Sequence, residues 1–142
     1  MKTASLRTWV MGIVLLFSLQ TLQAQSDKEA VRATAMDYIE GTSNGEPDRL
    51  KRAFHEGAAL YGVNDDGSMR RVPIAQYISY FKPGVKNDRK GKIVNIDIVN
   101  NAANVKIEIL SGPWKYTDYL LLLKLDGAWK IINKSYTRVR VG

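Results

Sequence analysis

Thr117–Tyr136 reads TDYLLLLKLDGAWKIINKSY, two apolar runs joined by Asp126-Gly127. An Asp-Gly pair adopts the positive φ angles of a tight two-residue turn, so this segment is expected to be an antiparallel β-hairpin. In its first strand, Leu120–Leu123 has no polar alternation, which predicts cover on both faces. One face can close a domain core. The other then needs a second cover, such as a partner subunit.

The start of the chain has a different logic. Lys2 and Arg7 are basic, Val10–Leu19 is apolar apart from Gly12 and Ser18, and Leu22-Gln23-Ala24 ends on a small residue. This is the order of a secretory signal peptide, and cleavage is expected after Ala24. The apolar block is short for a membrane span, which needs about 20 apolar residues. No later segment is long and apolar enough to cross a bilayer. The expected product is an exported chain, periplasmic or secreted, with no membrane contact after cleavage.

Of the 142 residues, the expected mature chain, residues 25–142, keeps 118, enough for one domain with one core. Its charge falls from +7 to +5 with the loss of Lys2 and Arg7. The basic residues are scattered over Lys51-Arg52, Arg70-Arg71, Lys82 to Lys92, Arg138 and Arg140, which reads as a solvated surface rather than a nucleic-acid-binding face. There is no cysteine, so no disulfide can support an exported fold. With one histidine besides, a zinc site of the usual composition is not expected, and no cofactor is called for.

Along the mature chain, Ser26–Thr42 reads as a helix capped by Ser26 and Glu29, with Val31, Ala35, Tyr38 and Thr42 on one face. Ser43-Asn44-Gly45 breaks it. A second helix starts at Pro47, buries Leu50, Ala53 and Phe54, and stops near Gly57. Ala58–Val63 and Ser68–Val72 read as short strands around Asp65-Asp66-Gly67. Pro73–Phe81 reads as a third helix, with Ile74, Tyr77, Ile78 and Phe81 inward, and Val85–Gly91 as an exposed basic loop. Lys92–Val99, with Val94, Ile96 and Ile98 on one face, pairs with Ala103–Leu110 across Asn100-Asn101. Lys115–Leu125 and Ala128–Val139 complete a four-stranded antiparallel meander. Helices segregated from antiparallel strands define an α+β domain.

This order resembles the NTF2-like superfamily, the cone-shaped fold shared by SnoaL and ketosteroid isomerase proteins. Within it, the chain looks most like the family labelled putative lumazine-binding. The residues that carry the resemblance are Ala53-Phe54-His55 with Ala58 and Leu60, then Asp118-Tyr119-Leu120 with Leu122 and Lys124. Asp126-Gly127, Trp129-Lys130-Ile131 and Asn133-Lys134 complete it. The resemblance implies a strongly curved sheet wrapping three helices, with a pocket at the open end of the cone. It also implies that the other sheet face can form a homodimer.

Two residues are candidates for catalysis. His55 is the only histidine and is placed at the end of the second helix, where it either complements the helix dipole or faces a pocket carboxylate. Asp118 opens an apolar strand and shares parity with Leu120 and Leu122. A carboxylate inside a cone is suited to act as a base; the competing reading is a structural aspartate bonded to a neighbouring strand or to Lys134. Tyr38, Tyr61, Tyr77, Trp114, Tyr116 and Tyr136 are candidates to line a site for a flat organic ligand, and Trp129 is expected in the core. A complete isomerase set is not matched: besides Asp118, the other strand acid is Asp97, expected to face water. Glycine-rich phosphate loops and serine nucleophile elbows are absent. Three functions follow: a binder of a small apolar or aromatic molecule, an enzyme using Asp118 or His55 as a base, or a dimerisation domain with a filled cone. An open or a packed cone separates them.

Overall fold

The computed structural model describes the backbone of residues 4–141 and the side chains of residues 22–141. The expected signal peptide thus falls almost wholly outside the described side chains. Helix α1 spans Ala4–Asn44, so Ser26 lies inside a continuous helix and caps nothing. Its stripe of Val31, Ala35, Tyr38, Ile39 and Thr42 is almost fully buried. Gly45 ends it with φ +65 and sits against the backbone of Val85, where any side chain would collide.

Helix α2 (Pro47–Ala53) buries Leu50 and Ala53 but stops earlier than the sequence suggests. Phe54, with extended φ and ψ, opens strand β1 (Phe54–Val63). Gly57 is therefore inside a strand. Strand β2 (Met69–Pro73) pairs with β1, and helix α3 (Ile74–Ser79) follows, burying Ile74 and half-burying Tyr77 and Ile78. Arg49 ties α1 to α2, pairing with Asp37 at 2.8 Å, Glu46 at 3.1 Å and Glu40.

The last four strands are β3 (Arg89–Val99), β4 (Ala102–Ser111), β5 (Trp114–Leu125) and β6 (Ala128–Arg140), an antiparallel meander. The six-stranded sheet has the order β2-β1-β6-β5-β4-β3 and is mixed, because β1 runs parallel to β6. The Asp126-Gly127 turn has φ +48 and +80, as a two-residue hairpin requires. Arg89, Lys90 and Gly91, expected in a loop, belong to β3. At Gly91, α1 packs tightly on the sheet: a Cβ there would lie 2.7 Å from the Ile39 side chain.

Two register shifts reassign side chains that simple alternation misplaces. Between Ile93 and Asn95, β3 carries one residue more than β4, so Val94 turns out to solvent while Ile93, Ile96 and Ile98 face the helices. Between Ile131 and Asn133, β6 has an extra residue against β5, Ile132. Trp129 and Ile131 precede this bulge on the inner face; after it, Lys134 rather than Asn133 points inward. The core lies between α1 and the inner face of β4, β5 and β6, around Val105, Ile107, Ile109, Leu120, Leu122 and Ile131. Each such side chain contributes about 1.5–3 kcal/mol on burial. On β5, Leu120 and Leu122 are sealed, but Leu121 is 45% and Tyr119 42% exposed on the outer face.

Candidate functional site

Among the described residues, Asp118 is the only buried acidic one, and it is fully buried. It lies between Ile107 on β4 and Tyr136 on β6, on the inner face it shares with Leu120 and Leu122. A buried carboxylate needs a counter-charge and donors. Both are supplied from a distance in sequence. The Tyr38 hydroxyl, from α1, donates to Asp118 Oδ2 at 2.6 Å. Lys134 Nζ, turned inward by the β6 bulge, donates to the same oxygen at 3.1 Å and to the Tyr38 hydroxyl at 2.7 Å. Burial pushes the Tyr38 phenol well above the ordinary tyrosine range, and the Asp118 charge pushes it further, so Tyr38 remains a donor. Asp118 Oδ1 is buried without a hydrogen-bond partner.

Lys134 is also the floor of a cavity of about 590 Å³. Its ammonium lies 5.0 Å from the ring centres of Tyr38 and Tyr136 and 5.3 Å from that of Tyr77, an aromatic cage around a cation. Tyr77, Trp114, Tyr116 and Tyr136 form the walls. Gly62 leaves room for Tyr136: a Cβ there would lie 2.7 Å from its ring. Arg89 sits over Tyr116, 5.8 Å from its centre, and Arg138 over Trp114 at 4.3 Å. The cone is open rather than filled.

Of the residues singled out in the sequence, Tyr77, Trp114, Tyr116 and Tyr136 line the cavity, and Tyr38 and Asp118 lie beneath Lys134. Tyr61 does not join them: it neighbours inward Leu60 on β1 and so faces the other way, its hydroxyl 3.4 Å from Arg71 Nε. His55 does not either. It is exposed on β1, where Nδ1 accepts from the Gly57 amide at 3.1 Å, because α2 ends two residues before it. In the sequence, Lys134 reads as part of the family pattern and as a structural partner for Asp118, and Arg70, Arg89 and Arg138 read as surface charge. All four line the cavity. An inward lysine after Ile131 is visible only once the bulge is known.

An open α+β cone, with helices on the inner face of a mixed six-stranded sheet and a cavity at the sheet's end, defines an NTF2-like protein. Residues 26–137 match the family described as Putative lumazine-binding, and the chain belongs to it. An aldolase, FrzH from Cladobotryum sp, is 31% identical over 114 residues, covering 78% of this chain and 90% of that protein. An NTF2-like protein of unknown function from Shewanella baltica OS155 superposes with a TM-score of 0.73 at 26% identity, covering 80% of this chain and 94% of its own. Another, from Methylobacillus flagellatus KT, gives 0.70 at 27% identity over 80% and 93%.

The buried network makes its own test. Lys134→Met strips Asp118 of its cation while keeping side-chain bulk, and is expected to cost about 3–5 kcal/mol in urea unfolding. Adding Asp118→Leu should recover most of that loss. A single-variant cost below about 0.5 kcal/mol, the range of ordinary surface substitutions, would show that the pair carries no structural weight.

Proposed function

We propose that this protein binds a small flat molecule in the cone, between the rings of Tyr77, Trp114, Tyr116 and Tyr136. The observation that carries this reading is the aromatic-walled cavity of about 590 Å³. Its size is within the roughly 300–1,000 Å³ typical of small-molecule sites. Native mass spectrometry of the protein purified from its own host is expected to find a bound organic mass. Trp114→Ala should lose that mass without lowering thermal stability, since Trp114 is at the rim and only half-buried. Retention of the same mass by Trp114→Ala would place the ligand elsewhere.

A catalytic reading has its own support. Asp118 has one oxygen free of hydrogen bonds and lies just beneath the Lys134 ammonium in the cavity floor, so it reaches a substrate proton when the lysine side chain swings aside. A carboxylate base beside a cation is the arrangement that removes a proton next to a carbonyl and stabilises the enolate oxygen. The 31%-identical relative is an aldolase, and aldol chemistry begins with such a proton transfer. His55, exposed and outside the cavity lining, has no part in this reading. The protein is expected to speed exchange of the methyl protons of acetophenone in deuterated water, followed by NMR. Asp118→Asn should slow that exchange by about 10²–10⁴-fold. Unchanged exchange in the variant would remove Asp118 as the base.

Export and pairing complete the proposal. The basic, apolar, small-residue order of residues 1–24 supports a cleaved signal peptide, and N-terminal sequencing should find Gln25 first. Tyr119 and Leu121, exposed side by side in alternation on the outer sheet face, support a homodimer. Sedimentation should give a dimer at micromolar concentration and a monomer for Leu121→Lys; a wild-type monomer would end this part.

A further inference from the structure

We infer that the cone is built for an organic anion: a flat molecule whose carboxylate or phosphate is held by Arg89, with Arg138 and Arg70 at the mouth. This rests on the small-molecule reading above and names the class of ligand that site takes.

The charge lining the cavity is lopsided. Arg70, Arg89, Lys134 and Arg138 face it, against Asp65 as the one acidic wall residue among the described residues. Elsewhere on the described surface, several cations are answered locally. Arg49, Lys51, Lys92, Lys115 and Lys124 each pair with a carboxylate at the surface or under α1. Among the described residues, no carboxylate is within ion-pair distance of Arg70, Arg89 or Arg138. Three of the unpaired cations thus meet around one concavity, although they come from three different strands.

Arg89 is the decisive member. It is only partly exposed, and its Nε is buried without a hydrogen-bond partner. A buried donor without an acceptor is costly, and more so on a charged group. Counter-charge to Asp118 is not a sufficient role for it, because Lys134 already touches that carboxylate at 3.1 Å and Tyr38 at 2.6 Å. A guanidinium presents parallel N–H groups that match the two oxygens of a carboxylate or phosphate. Tyr116, beside Arg89, and Trp114, under Arg138, supply flat faces for the organic part of the same molecule. Anion at Arg89 and ring between the aromatics leave the far end of the ligand toward Lys134.

Calorimetric titration with three matched probes tests this: naphthalene carboxylate, naphthyl phosphate and the neutral naphthalene carboxamide. At least one anion should bind at least about tenfold more tightly than the amide, the gain expected of a charge-assisted hydrogen bond. Added salt should weaken the anions and spare the amide. Whichever anion binds more tightly identifies the headgroup. Arg89→Gln should abolish the preference while leaving the affinity for the amide, and Arg89→Lys should keep part of it. Arg138→Gln, at an exposed position where folding is not at stake, should weaken the anions alone. If the amide binds as well as both anions in the wild type, the inference falls and the small-molecule reading stands. If Arg89→Gln, folded by its thermal transition, keeps the full preference, Arg89 is not the anchor and the inference falls. If none of the three probes binds, both readings fall together.

Discussion

A fully buried carboxylate organises this molecule. Asp118 is inside a core of leucine and isoleucine, where an isolated charge would be far too costly to keep. Its tolerance there depends on Tyr38, eighty residues earlier, and Lys134, sixteen residues later. The three side chains join α1, β5 and β6 at one point. The same point is the floor of the cavity, so what stabilises the core also faces the open end of the cone. Replacing the network with apolar side chains need not cost stability, because buried ion pairs rarely outperform a well-packed apolar core. Its position at the base of an open cone sets Lys134 in the cavity wall.

The bulge at Ile132 is the backbone feature on which that arrangement turns. Strand alternation has a period of two, and one extra residue moves every later side chain to the opposite face. Without it, Asn133, Ser135 and Thr137 would face the helices, and Lys134, Tyr136 and Arg138 would face solvent. With it, these three larger groups line the cone. The bulge therefore converts the end of β6 from core strand to cavity wall. Its neighbour β1 accommodates the change with Gly62, which yields the space the Tyr136 ring occupies.

Much of the fold was legible before any coordinates. The Asp126-Gly127 turn, the apolar stripe Val31, Ala35, Tyr38 and Thr42, and the alternation of β4 are local patterns with a single structural meaning, and they stand where the residues put them. The errors also have local causes. Phe54-His55-Glu56-Gly57 follows a helix and carries helix-compatible residues, yet Phe54 adopts an extended conformation and pairs opposite Ile131. His55 thereby leaves a helix end for an exposed strand position. Arg89–Gly91 is polar and reads as loop, but its backbone pairs with Ser111, Leu110 and Ile109.

The sequence by itself determined the α+β class, the order of the elements, the hairpins and the inward face of β5 with Asp118 on it. Those depend on hydrophobic period and turn chemistry, which are properties of neighbouring residues. Only the tertiary structure decided that Lys134 faces Asp118, that Tyr61 and His55 stand away from the cavity, and that Arg70, Arg89 and Arg138 converge on it. Bulge position and strand order are set by contacts between residues far apart in the chain. A scattered set of arginines becomes a single positive pocket because β2, β3 and β6 end at the same mouth of the cone, and nothing in their local spacing records that meeting.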